Sequence, residues 1–213
     1  MSGTLSYFPV YGKGEALRWL LTHAKVDFVD EMITQDAWPE RKVKDFNGAS
    51  LPAWKFAGSD KIYGQSASIL RMLGLKYGYL PTDPEEYHTV DTVMEAIVDY
   101  NDTKVLRALF GASDPTEEQI KTAVDAQHKF FVFLETLLAK HGKDFAAGEK
   151  ITIADFAAGS FIHNYCLNKT KKFAAFTDAL HADFLTFPYV TKYGNMMGEL
   201  FKERLATRGP API

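Results

Sequence analysis

Cysteine is nearly absent from this sequence. Cys166 is the sole one in 213 residues, so no disulfide can form within the chain and no CxxC redox pair exists. Long apolar runs are missing too; nothing approaches the roughly 18 residues that a membrane span needs. Basic residues are not in excess. Lys and Arg number 24 against 27 Asp and Glu, a formal net charge of −3, which argues against nucleic acid or an anionic membrane as the main partner. The six histidines (His23, His88, His128, His141, His163, His181) form no HxH or HExxH pattern, and Cys166 has no cysteine partner, so no metal site is expected. GxSxG, GxxxxGK[ST] and GxGxxG do not occur; GKGEAL around Lys13 is only superficially a phosphate loop. Met1-Ser2-Gly3-Thr4 has neither the basic start nor the apolar stretch of a signal peptide. These absences converge on a cytoplasmic protein in a reducing compartment.

What is present is a chain of ordinary globular composition, long enough to bury a sizeable core in one large or two small domains. The first 80 residues mix strands and helices. Thr4–Phe8 reads as a strand, Gly14–Ala24 as a helix with apolar spacing at Leu17, Leu20, Leu21 and Ala24, and Phe28–Ile33 as a second strand. Pro52–Ala57 and Lys61–Tyr63 read as a hairpin around Gly58-Ser59-Asp60, followed by a helix from Ser66 to about Tyr77. Residues 81–86, with Pro81 and Pro84, read as a linker. Beyond it, over 87–213, strand signals disappear. Helical spacing returns at Val90, Met94, Ile97 and Asn101.

Three further helix starts or ends are legible. DPTEEQIKTAV has Asp114 as the expected N-cap with Glu117 completing a capping box, and its helix buries Ile120, Val124, Phe131, Leu134 and Leu138 before stopping at Lys140-His141-Gly142. In ITIADF, Thr152 and Asp155 form a capping box, with Ile151 and Phe156 at hydrophobic-staple positions; Cys166 is expected buried in the helix that follows. A last helix is expected from about Tyr189 to Ala206. The fold class is therefore α/β followed by all-α.

Several constellations carry chemistry. Tyr7 stands at a strand end facing the turn that opens the first helix. Gln65-Ser66 open a helix whose first N–H groups suit a carboxylate or phosphate, although Ser66 can equally cap its own helix. Pro52 begins a strand. A cis Leu51–Pro52 bond would present the Leu51 backbone to an extended peptide-like ligand; a trans bond would make an ordinary strand edge. Trp38, Arg41, Lys42 and Lys44 crowd an expected loop, where indole and ammonium groups together suit a second carboxylate. Asp91, Glu95 and Asp99 recur at i, i+4 and i+8, with Asp102 close by. This is a stripe that is either simply solvated or awaits a cation.

In this order, Tyr7 within YFPVYGKGEALRWLL, Trp38 before the lysine-rich stretch, Leu51-Pro52, GQSASILRMLG and ITIADF closely resemble a cytosolic glutathione transferase. The resemblance spans nearly the whole chain, and YFPV followed by ALR-LL looks most like the pi class, with sigma and mu remaining open. It implies a thioredoxin-like domain over 1–80 that binds glutathione, and an all-helical domain over 87–213 that contributes a hydrophobic substrate site. It also implies a homodimer, and glutathione as co-substrate with no other cofactor. Tyr7 would then donate a hydrogen bond to the glutathione sulfur. Leu51 before a cis Pro52 would pair with the cysteinyl unit, and Gln65 and Ser66 would take the γ-glutamyl carboxylate. Trp38 with Lys42 or Lys44 would take the glycine carboxylate. Lys13 stands where relatives often carry arginine. Asp99 matches an aspartate that reaches the γ-glutamyl ammonium from the neighbouring subunit.

The tyrosine's role follows from magnitudes. A thiol with pKa near 8.5 is mostly protonated at neutral pH, and the thiolate is the nucleophile. One charge-assisted hydrogen bond is worth about 1.5–3 kcal/mol, and a pKa unit about 1.4, so one donor can lower the thiol by one to two units. Two departures from the family pattern stand out. Ser50 occupies a place where relatives usually have glutamine. Val105 and Leu109, with Phe8 and Val10, would line the pocket for small hydrophobic electrophiles, and some pi enzymes have a tyrosine at the position of Leu109. The implied activity is glutathione conjugation. Glutathione-dependent isomerisation of prostaglandin-like endoperoxides and a non-catalytic ligand-binding or structural role are the alternatives.

Overall fold

The apolar segment at the start of the chain folds as a strand buried on both sides. In a computed structural model, which describes residues 1–101, 114–168 and 173–211, β1 (Gly3–Tyr7) buries Leu5, Ser6 and Tyr7 in succession. It is followed by α1 (Gly12–His23), β2 (Val29–Met32), α2 (Trp38–Lys44), β3 (Ala53–Phe56), β4 (Ile62–Tyr63) and α3 (Ser66–Tyr77). The sheet order is β2-β1-β3-β4. β1 and β2 are parallel, which requires the α1 crossover between them, and the other two pairings are antiparallel. One face carries Leu5 and Trp54, both fully buried. The other carries Thr4, Ser6, Glu31, Ala53, Lys55 and Ile62, which share a face by strand alternation and register. α3 ends at Gly78, whose left-handed backbone (φ 79°) turns the Tyr79 N–H back onto the Gly74 carbonyl at 2.8 Å.

The chain divides into Met1–Tyr79 and Leu80–Ile213. The regular elements of the second unit are helical among the described residues: α4 (Pro84–Asn101), α5 (Glu117–His141), α6 (Ile153–Phe161) with a π-helical turn at Ile162–Cys166, α7 (Ala174–Phe184), α8 (Pro188–Leu200) and α9 (Lys202–Thr207). The fold class is thus the one expected, α/β followed by all-α. No described helix is long and apolar enough to cross a membrane. Val105, Leu109 and Asp102 lie outside the described residues.

The core of the second unit is aromatic. Phe131 and Phe161 are buried with ring centroids 6.0 Å apart, Phe131 also meets Phe184 and Phe187, and Tyr100 meets Phe161 edge-on at 4.7 Å. Gln127 is buried among them with its amide satisfied. It donates to the Leu180 carbonyl (2.8 Å) and Asp183 (2.9 Å), and accepts from the Cys166 thiol at 3.0 Å. Cys166 is buried as expected, and burial pushes its thiol well above the ordinary value, so it stays neutral.

Four expectations need correction. The N-cap of α5 is Thr116, not Asp114, and its capping box closes through Gln119 rather than Glu117. Ile120 and Val124 are only half-buried, and the face packed into the core carries Ala123, Gln127 and Phe130 with Phe131, Leu134 and Leu138. The last helix is two, broken at Phe201, which is buried against Phe156 at 6.0 Å. The basic segment at Trp38–Lys44 is the helix α2, not a loop.

Candidate active site

Strand direction alone gathers the sequence-selected residues of the first unit. β1 and β2 finish side by side at Tyr7 and Met32. β3 runs antiparallel to β1 with Ala53 opposite Ser6, so Leu51 and Pro52 precede it at the end where Tyr7 stands. β4 reverses again, with Tyr63 opposite Trp54, and exits at this same end into Gly64, Gln65 and α3. A Cβ built on Gly64 would lie 3.7 Å from the Ser50 carbonyl oxygen, which places Ser50 beside this turn. Tyr7, Ser50, Leu51, Pro52, Gln65 and Ser66 therefore share one rim of the sheet.

At the centre, Tyr7 is 4% exposed. Its hydroxyl oxygen accepts the Lys13 backbone N–H at 3.2 Å, which leaves the phenolic proton for an acceptor of its own. Burial holds the phenol above its ordinary value, opposed by the Lys13 N–H and the positive charge of Arg18. It is therefore protonated at neutral pH and can donate. The turn carrying Lys13 closes tightly over the ring. A Cβ at Gly12 (φ +37°) would come 2.8 Å from the Tyr7 hydroxyl, and one at Gly14 2.5 Å from Cδ1. Only glycine allows this approach. Phe8 and Val10 are half-buried beside it, with the Phe8 ring 5.7 Å from Tyr7 and 5.9 Å edge-on to Trp38.

Around the rim, the Leu51–Pro52 bond is cis, the rarer of the two states left open by the sequence. Leu51 packs on the small cluster of Ile33, Phe46 and Ala53. Gln65 is the N-cap of α3 with φ +66°, an uncommon conformation for a residue with a side chain. No side chain caps this helix, so the reading of Ser66 as its own cap does not hold; Ser66 is its first residue. Trp38 packs edge-on to Phe46 at 5.5 Å. Lys42 and Lys44 are exposed and make no ion pair among the described residues, whereas Arg41 is engaged with Glu31 (3.0 Å) and Asp45 (2.7 Å).

Asp99 is exposed on α4, in the second unit, on the rim of a cavity of about 540 Å³ lined also by Tyr100, Asp125, Lys129, Phe130 and Phe133. Among the described residues no group of three His, Cys, Asp or Glu could hold a metal.

Sequence reading missed a buried charge network beneath Tyr7. Arg18 is 1% exposed and donates from Nε to both oxygens of Asp30 (3.0 and 2.9 Å). Its Nη1 donates to the Val10 carbonyl (3.1 Å) and to Glu15 (3.3 Å). Glu15, fully buried, also accepts the Trp19 indole N–H at 3.2 Å. The guanidinium lies 5.9 Å from the Tyr7 ring centroid, tying β2 and the turn at Val10 together under the site. The available signal was an opposite-charge i, i+3 pair inside a helix whose residues 14–21 are all buried.

Known proteins are similar to this chain in sequence and fold. The model of the glutathione S-transferase C-terminal domain matches residues 101–196. Glutathione S-transferase 1 of Ascaris suum is 32% identical over 71% of this chain and 74% of its own length, and glutathione S-transferase P of Homo sapiens is 33% identical over 72% and 71%. The crystal structure of the glutathione S-transferase from Ascaris lumbricoides superposes with a TM-score of 0.78 at 28% identity, covering all of both chains. With a similarity of that extent in sequence and fold, the chain belongs to the glutathione S-transferase family.

Proposed function

We propose that this chain is a glutathione transferase that adds the thiolate of reduced glutathione to small hydrophobic electrophiles. The observation that carries the reading is the state of Tyr7, a buried phenol kept protonated, with a backbone N–H on its oxygen and its proton available at the rim of the sheet. Such a group is a poor base and a good donor. Its hydrogen bond strengthens as the cysteinyl sulfur gives its proton to solvent and becomes anionic, which favours thiolate and raises its fraction at neutral pH. The sulfur then forms a bond to the electrophilic carbon while the leaving group departs with its electron pair, or the π electrons of an acceptor move onto that acceptor. The phenol remains protonated throughout.

The other rim residues divide the peptide between them. The backbone of Leu51 pairs with the cysteinyl unit, and Gln65 and Ser66 at the uncapped start of α3 take the γ-glutamyl carboxylate. Trp38 with Lys42 or Lys44 takes the glycine carboxylate, and Lys13 and Ser50 add polar contacts. Phe8 and Val10 offer an apolar wall to the electrophile, with Val105 and Leu109 assigned there by sequence. In a homodimer, Asp99 of one copy meets the γ-glutamyl ammonium held by the other. The role is that of a cytoplasmic detoxification enzyme.

Tyr7→Phe tests the assignment. Glutathione affinity should stay within a few-fold while kcat falls strongly, because the lost bond forms mainly to thiolate. The ultraviolet thiolate band of bound glutathione should titrate about one to two pH units higher. An unchanged titration would remove Tyr7 from the mechanism.

A further inference from the structure

α2 is a short helix with little to hold it. It has seven residues, none fully buried, and a helix of that length does not persist in water by itself. Its apolar attachment is Trp38, half-buried on the cluster of Ile33, Phe46 and Ala53. The rest is a chain of charges running out from the sheet. The Ser6 hydroxyl donates to Glu31 Oε2 at 2.6 Å, Glu31 Oε1 meets the Arg41 guanidinium at 3.0 Å, and Arg41 Nε donates to Asp45 Oδ2 at 2.7 Å. That guanidinium also stacks over the Phe46 ring, 5.5 Å from its centroid. Between α2 and the sheet lies a cavity of about 240 Å³ lined by Thr4, Ser6, Glu31, Arg41, Phe46 and Lys55. Side chains do not fill the gap, so the Glu31–Arg41 bridge spans it.

We propose that Arg41 is a positioning residue and not a ligand. Its bridge to Glu31 docks α2 on the outer face of the sheet, and so presets Trp38, Lys42 and Lys44 for the glycine carboxylate of glutathione. This rests on the reading of glutathione as the ligand given above. The chemistry agrees with it. A guanidinium can meet two carboxylates through separate N–H groups, and here Nε goes to Asp45 and a terminal nitrogen to Glu31, with the Phe46 ring centroid 5.5 Å away. Lys42 and Lys44, pointing to solvent, keep their donors for an incoming anion. When α2 is undocked, only a fraction of molecules carries the preset helix, and apparent affinity drops by that fraction.

The test uses Arg41→Gln, Glu31→Gln and the double variant in the full chain. Ligand-free hydrogen exchange should show faster exchange across residues 38–45 in all three. Each single variant should raise the glutathione dissociation constant and KM about three- to tenfold, with kcat at saturating glutathione and the thiolate titration unmoved. The double variant should be no worse than either single one, since both remove one bridge. A direct ligand would behave differently. If Arg41→Gln weakens binding while Glu31→Gln leaves affinity and exchange unchanged, Arg41 contacts glutathione and the proposal fails. It also fails if neither variant changes exchange or affinity. A wild-type chain that binds no glutathione by calorimetry would instead overturn the functional reading. Exchange in the ligand-free variants would still report whether the bridge docks α2.

Discussion

Asp155→Ala should unfold this protein far more readily than a lost helix cap would. As half of a capping box alone, Asp155 is worth about 0.5–2 kcal/mol. In the structure it is fully buried and accepts four hydrogen bonds, from the Thr152 N–H (2.8 Å), the Thr152 hydroxyl (3.0 Å), the Ala146 N–H (2.7 Å) and the Tyr193 hydroxyl (3.0 Å). Alanine strands two backbone donors and a phenol in the interior. Each buried group left unsatisfied costs about 1–3 kcal/mol, and water entering the vacated space recovers part of that. The net loss should be about 3–5 kcal/mol, a large share of a typical total of about 5–15. The assay is urea unfolding at fixed protomer concentration, followed by kinetics per folded molecule, which should be near normal.

Asp155→Asn provides the pH dimension of this prediction. Burial outweighs the four donors and holds the Asp155 carboxyl above its ordinary 3.8. A raised folded value means that its contribution is fully present below the unfolded pKa and declines as pH rises through the folded one. The stability advantage of wild type over Asp155→Asn should therefore shrink as pH rises above about 4. A loss below about 1 kcal/mol in Asp155→Ala would refute the four-bond account. Intact stability with depressed kcat would make Asp155 a site residue.

Two other outcomes are expected. His163 is buried, its Nε2 lies 3.0 Å from the Gly194 carbonyl, and burial lowers its pKa to about 4. Its contribution is present above about 6.5 and lost as pH falls through 4, amounting to about 3 kcal/mol, so the pH 7-to-4 loss of stability should be smaller in His163→Gln. Asp99→Asn should weaken glutathione binding roughly ten- to a hundredfold if Asp99 meets the ligand's ammonium across a dimer. Asp91→Asn, on the same stripe, should change little. Equal and unchanged affinities for the two variants, or a wild type that sediments as a monomer and still binds tightly, would refute the shared site.

The elements that were legible announce themselves by local chemistry. α3 is legible at Ser66–Tyr77 because a hairpin precedes it, and α5 ends at the expected Gly142, which takes φ +60°. The elements that were missed lack such marks. α7 begins after Phe173 with no side-chain cap, and only the recurrence of Phe176, Leu180 and Phe184 every fourth residue could have found it. α2 shows no apolar stripe because it buries no residue fully; a bridge to another strand holds it instead. α8, expected from about Tyr189, starts one residue earlier with Pro188 in its first turn, and a distant side chain completes that start. Glu135, more than fifty residues away on α5, accepts the N–H groups of Tyr189 (3.1 Å) and Val190 (2.8 Å) at its first turn.

The site divides along this same line. Tyr7, Leu51-Pro52, Gln65 and Ser66 are each weak alone, and what made them readable was their order along a β-α-β-α-β-β-α chain, because the antiparallel reversals at β3 and β4 return the chain to one rim. The Asp30 arm of the Glu15–Arg18–Asp30 network was not readable. Asp30 lies twelve residues from Arg18 on another element, and nothing in the sequence distinguishes it from Asp27, which is exposed and pairs with the chain's own amino terminus. Arg41 makes the point within a single helix turn. Next to Lys42 and Lys44 it looks like a third cation for a carboxylate, yet Glu31 on β2 turns it inward. Residue type sets what a charge can do, but the partner that the fold brings to it decides whether it meets a ligand or holds the wall of the site.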